Sequence, residues 1–126
     1  MVFVDTSVWI AYFRGSDQEL VKSLDLLLDE DRVGLPGPVW IELISGASKT
    51  EQSILRRVLS ALPRYLPSEK TWELMEEWVV AATAKGQRFA AFDLLIGALS
   101  EEHEATLWSL DKDFFRMKKL GFLKLR

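Results

Sequence analysis

Apolar residues along the chain follow two rhythms that alternate at short intervals. Val2-Phe3-Val4, Arg32-Val33-Gly34-Leu35, Arg64-Tyr65-Leu66, Thr106 to Leu110 and Phe122 to Leu125 are short runs bounded by Pro, Gly or charged residues. Their length and β-branched or aromatic content predict strands. The second candidate is weakened by Gly34, and Pro36-Gly37-Pro38 ends it.

The intervening stretches carry apolar residues three and four apart, the helical spacing. Ser7 to Arg14 presents Val8, Trp9, Tyr12 and Phe13 and stops at Gly15; Asp17 to Glu30 repeats Leu20, Leu24, Leu27 and Leu28. Behind Pro38, which suits a first helical turn, Val39 to Ala47 turns Trp40, Leu43, Ile44 and Ala47 inward. Gln52 to Leu62 is the next helix. Ser68 with Thr71 three residues on reads as a capped start for a long helix with an apolar face of Trp72, Met75, Val79 and Ala82, ending near Lys85-Gly86. Phe92 to His103 reads as a buried helix around Leu95, Ile96 and Leu99, and Asp111 to about Leu120 as a short one. Strands separated by helices imply βαβ units, hence an α/β fold with a mostly parallel sheet covered on both faces.

Composition narrows the chemistry. A chain of 126 residues, 48% hydrophobic and 28% charged, is expected to be one domain, residues 1–126, neither disordered nor membrane-spanning. No apolar run approaches the roughly 20 residues of a spanning helix. The chain enters its first strand without a signal segment, so a cytoplasmic location is expected. The absence of Cys and the single His103 exclude Cys-based zinc sites and His-pair zinc centres. A net charge of -3 announces no basic surface, so any nucleic-acid contact must be local.

Carboxylates are left to carry the chemistry, and five stand near strand-to-helix junctions: Asp5, Glu42, Asp93, Asp111 and Asp113. Open α/β sheets place their sites at that edge. A helix cap is the plain alternative for Asp93 and Asp111. Glu42 and Asp93, however, are flanked by apolar residues, and a glycine four positions on (Gly46, Gly97) leaves room beside each. Half-buried acids that approach one another have raised pKa values unless a cation compensates. An oxygen-only donor set suits Mg²⁺ or Mn²⁺, and such ions on scattered carboxylates point to phosphodiester hydrolysis.

Four pieces of the chain, Val4-Asp5-Thr6-Ser7, Val39-Trp40-Ile41-Glu42-Leu43, Phe92-Asp93-Leu94-Leu95-Ile96 and Leu110-Asp111-Lys112-Asp113-Phe114, resemble the PIN-domain ribonucleases in order and spacing. Within that family the chain is similar to the VapC toxins of toxin–antitoxin pairs. The resemblance implies a three-layer α/β/α sandwich with a four- or five-stranded sheet. It implies that Asp5, Glu42, Asp93 and Asp111 form a catalytic acidic pocket for Mg²⁺ or Mn²⁺. Asp113 is expected as an accessory metal ligand, and Thr6, Ser7 and Ser109 as hydroxyls supporting the acids. Ser109 departs from the Asn or Thr often found there. The expected partners are an RNA substrate, a small antitoxin that inserts a segment into the pocket, and a second copy in a homodimer.

The remaining conspicuous residues are Trp and Arg. Trp9, Trp40, Trp72, Trp78 and Trp108 fall mostly at core spacing, and Trp9, beside the first acid, is the candidate for an RNA or antitoxin contact. Arg88 and Arg116 stand close in sequence to pocket acids and are candidates for RNA phosphates. A phosphatase of the haloacid dehalogenase type would require an acid where Ser7 stands. A non-catalytic interaction module is the alternative function.

Overall fold

The computed structural model describes residues 1–126. In chain order the elements are β1 (Val2–Val4), α1 (Thr6–Arg14), α2 (Gln18–Asp29), β2 (Val33–Pro36), α3 (Gly37–Ser45), α4 (Lys49–Leu59), β3 (Arg64–Tyr65), α5 (Glu69–Ala84), α6 (Ala91–Glu102), β4 (Thr106–Trp108) and α7 (Lys112–Lys119). All strand pairs are parallel, and the sheet order is β3-β2-β1-β4. The expected alternation and sheet are therefore present.

That order locates the functional edge. The chain moves outward from β1 to β2 to β3, then crosses back to lay β4 on the other side of β1. Right-handed crossovers that reverse direction cover opposite faces of the sheet, and the gap opens beyond the carboxyl ends of β1 and β4. Asp5 follows β1 directly, and its amide continues the ladder by donating to the Trp108 carbonyl at 2.9 Å. Ser109 and Asp111 follow β4, so the chain places polar residues where the topology opens.

The core explains the short strands. Val2, Phe3, Val4, Val33, Leu35 and Leu107 are buried with Leu20, Leu24 and Leu27 of α2 and with Ile96, Ala98 and Leu99 of α6. Gly34 belongs to the strand because Phe3 and Tyr65 close over it: a Cβ there would lie 2.7 Å from Phe3 Cε1 and 2.8 Å from Tyr65 Cε1. No helix is long and apolar enough to cross a membrane.

Three local expectations change. The last segment pairs through a single bridge, Leu107 to Leu125, instead of forming a strand over Phe122 to Leu125. Phe122 stacks on Trp78 at 4.7 Å and Leu123 is buried, so side-chain packing takes the place of an extended ladder. On α5 the buried positions are Thr71, Trp78 and Ala82, whereas Trp72 is 53% and Val79 47% exposed. Residues 71, 74–75, 78 and 82 satisfy the helical period as well as 72, 75, 79 and 82 do, and packing against α6 selects the former. Gly97 does not make room beside Asp93. Its missing Cβ would meet Leu123 at 3.0 Å and Trp78 at 3.1 Å, so the glycine serves helix packing in the core.

Candidate metal centre

Each acid reaches the sheet edge for a local reason. Asp5 is the N-cap of α1, Asp111 is the N-cap of α7, and Asp113 and Asp93 lie in the first turns of α7 and α6. Helix starts favour acids because of their unpaired amides and the macrodipole. The cap alternative thus holds for Asp111, whose Oδ1 accepts the Asp113 amide at 2.9 Å. It does not hold for Asp93, since Ala90 occupies the cap of α6. Glu42 projects from α3, the helix after β2.

Asp93, Asp111 and Asp113, all half-buried, each offer a carboxylate oxygen within 4.8 Å of the others'. Asp5 and Glu42 stand outside that triad but close enough to act on it. Burial pushes the Asp93 carboxyl up to about 6, and the charges of Asp111, Asp5, Asp113 and Glu42 push it the same way. Glu42 is also raised: burial is the main cause, a bond from Thr6 opposes it, and the charges of Asp5 and Asp111 add to it. Five acids from four regions of the chain therefore form one electrostatic unit.

Hydroxyls position the two flanking acids. Asp5 is only 5% exposed, and its Oδ2 accepts from Ser7 Oγ and Ser109 Oγ, each at 2.8 Å. The same two hydroxyls accept backbone amides, Ser7 Oγ from Leu110 at 3.0 Å and Ser109 Oγ from Asp111 at 3.0 Å. Ser7 and Ser109 thus tie the turn after β1 to the turn after β4. Thr6 Oγ1 donates to Glu42 Oε1 at 2.7 Å. Ser109 consequently does with one hydroxyl what its neighbours require, although it is neither Asn nor Thr.

The donor set suits a hard divalent cation. It is composed of oxygen alone, three carboxylates converge, and repulsion among them is already visible in Asp93. Only Asp113 has a cationic partner, Arg116, at 2.9 Å. One expected contact is overturned: Trp9 is 0% exposed, packed against Tyr12 and Phe13, so its ring cannot stack on a base. Arg88 is exposed. Arg116 is bound within the protein, a role that its place in the sequence did not suggest.

Beside Glu42 a groove of about 520 Å³ opens between α1, α3 and α4, lined by Ile10, Phe13, Leu43, Ile54 and Leu55. Helical spacing had grouped Phe13 with the apolar face of α1. Ile10, Phe13 and Ile54 are 42%, 41% and 43% exposed, and Arg14, Glu42 and Glu51 join them in the lining.

A parallel α/β sheet with an all-carboxylate centre at its switch point defines the class of protein. The chain belongs to the PIN domain family, whose model matches residues 2–120. Within it the chain is similar to VapC ribonucleases. It is 29% identical to the VapC ribonuclease Mb1587 of Mycobacterium bovis, over 90% of this chain and 89% of that protein. It is 30% identical to ribonuclease VapC32 of Mycobacterium tuberculosis, over 89% and 86%. The fold is also that of VapBC2 from Rickettsia felis, a structure bound to a promoter DNA fragment, with TM-score 0.83 and 24% identity over 100% of this chain and 98% of that one. VapBC-1 from nontypeable Haemophilus influenzae gives TM-score 0.80 and 22% identity over 100% and 97%.

Proposed function

We propose that this chain is a metal-dependent endoribonuclease, the VapC-type toxin of a toxin–antitoxin pair, acting in the cytoplasm and inhibited by a small antitoxin. The observation that carries this reading is the convergence of Asp93, Asp111 and Asp113 under the charges of Asp5 and Glu42. Similarity to VapC ribonucleases over nine-tenths of the chain supplies the substrate class.

Asp93, Asp111 and Asp113 would hold a Mg²⁺ or Mn²⁺ ion, with Asp5 completing the pocket. When bound, such an ion neutralises charge and acts as a Lewis acid towards water and a phosphodiester. The protein's own groups do the rest. Ser7 and Ser109 hold Oδ2 of Asp5 and so fix the orientation of its carboxylate. Thr6 holds Oε1 of Glu42 and leaves Oε2 to take a proton from the attacking water. A raised pKa suits that task. The mainly apolar groove that includes Glu42 in its lining fits the apolar side of an antitoxin segment, and an Arg on that segment would pair with the carboxylates. As in the resemblance, the working form would be a homodimer.

The experiment is RNA cleavage by antitoxin-free protein with Mg²⁺ or Mn²⁺ and with EDTA, for the wild type, Asp5→Asn and Asp93→Asn. Cleavage should require the ion and both acids. Equal cleavage by all three proteins, or undiminished cleavage in EDTA, would sink the proposal.

A further inference from the structure

Arg116 has no place in the chemistry above, yet its side chain is the most fully engaged in the site. Nη1 donates to Asp113 Oδ1 at 2.9 Å, while Nη2 donates to Gln87 Oε1 and to the Arg88 carbonyl, each at 3.3 Å. Its guanidinium carbon lies 4.4 Å from the centroid of the Phe89 ring. Gln87 to Phe89 is the connection between α5 and α6, and Asp93 stands in the first turn of α6. Arg116 itself stands on α7, so its bond to Asp113 lies within that helix, while its bonds to Gln87 and Arg88 and its stacking on Phe89 tie the helix to the approach to α6.

Such a fastening has a physical need to meet. Three carboxylates with oxygens within 4.8 Å repel one another, and α6 begins on Ala90 without a side-chain cap to steady it. A fork that bonds in two directions and stacks on a ring fixes position, whereas a lysine ammonium supplies only a point charge.

We propose that Arg116 is a positioning residue of the metal centre: it fastens α7 to the connection before α6, and so holds Asp113 and Asp93 at ion-sharing distance. This rests on the metal reading above and names the residue that tunes that site. The sign of one measurement separates geometry from charge. If Arg116 acted through charge alone, a neutral replacement would leave the pocket more negative and tighten cation binding. As a fastening, its loss weakens binding.

Mn²⁺ affinity of the metal-free full chain, measured by calorimetry without RNA, tests the proposal. Arg116→Gln and Arg116→Lys should each weaken Mn²⁺ binding about 10-fold, the usual scale for a group that orients a ligand. Gln87→Ala alters no charge, and should weaken it in the same direction by a smaller factor. In Gln87→Ala, RNA cleavage should return to the wild-type rate at saturating Mn²⁺, because the ligands themselves are intact. Equal or tighter binding by Arg116→Gln, or wild-type affinity in Arg116→Lys, would overturn the proposal. Should Arg116→Gln fail to fold, Gln87→Ala decides, and unchanged affinity there refutes it. A wild-type chain that binds no Mn²⁺ would instead remove the metal reading itself, and this inference with it.

Discussion

Helix α6 carries a partly buried acid at each end, and the two titrate in opposite directions. Asp93 stands in the first turn, where the helix macrodipole favours a negative charge, yet its carboxyl is pushed up to about 6. Glu102 closes the helix, where the dipole disfavours that charge, yet it is held below its ordinary value. Burial raises both. At Glu102 the hydroxyls of Ser68 and Thr71 each donate to one carboxylate oxygen, His103 and Lys70 add positive charge, and together they outweigh burial. At Asp93 the neighbours are four more acids. The dipole, worth about 0.3–1 kcal/mol near a surface, is outweighed at Asp93 by burial and then by the neighbouring acids, and at Glu102 by the hydroxyl and cationic partners. One end is compensated by its own neighbours as folded; the other gathers acids alone, the arrangement that the proposed cation would compensate.

Asp93→Asn should erase the difference between the two ends of α6. Loss of an ion ligand should lower RNA cleavage on the order of 100-fold, about 3 kcal/mol of transition-state stabilisation. Loss of a crowded charge should at the same time stabilise the metal-free protein by about 1 kcal/mol at pH 7.5, after allowance for solvent screening. Chemical denaturation in EDTA checks the second sign. An Asn variant less stable than wild type in EDTA would show that Asp93 is not under repulsion.

Ser109→Ala perturbs the acidic end of α6 without removing a carboxylate. It removes the bond to Asp5 and the acceptor of the Asp111 amide, and Mn²⁺ affinity should fall about 10-fold in calorimetry.

Acidity offers a third test. The Asp93 carboxyl binds its proton more tightly folded, at about 6, than unfolded, at 3.8. Its contribution to stability is therefore fully present below the unfolded value and is lost as pH rises through the folded one. In EDTA the wild type should lose about 1 kcal/mol relative to Asp93→Asn between pH 4 and pH 7, read from denaturation midpoints. Metal binding requires the deprotonated form, so Mn²⁺ affinity should rise over the same window.

At the far end of α6, Thr71→Val removes one donor from Glu102 and should cost about 1 kcal/mol of stability. Mn²⁺ affinity should not change. A shift in affinity would mean that the two ends are coupled through the helix.

Much of this architecture was legible in residue order, because strands of apolar residues and helices of amphipathic period are local patterns. Asp5 was legible for the same reason: a carboxylate directly after Val2-Phe3-Val4 can only emerge at the strand's carboxyl end. The bond from Ser109 to Asp5 was not, since it joins residues that only the β1–β4 pairing brings together. Trp9 beside an acid in sequence suggested an exposed ring, but its helical phase turns it into the core while Ile10 and Phe13 face the groove. Arg116 near Asp113 suggested a free cation for phosphate. Its bond to Asp113 is local, but its other contacts come from Gln87, Arg88 and Phe89, nearly thirty residues earlier, which no local pattern could join to it.

Anomalous diffraction from Mn²⁺-soaked crystals reads the position of an ion at the acidic centre independently of activity. The expected result is one peak bounded by Asp93, Asp111 and Asp113, with carboxylate oxygens at roughly 2.1 Å. A chain that cleaves RNA with Mn²⁺ but shows no peak there, or shows its peak among other residues, would contradict the account.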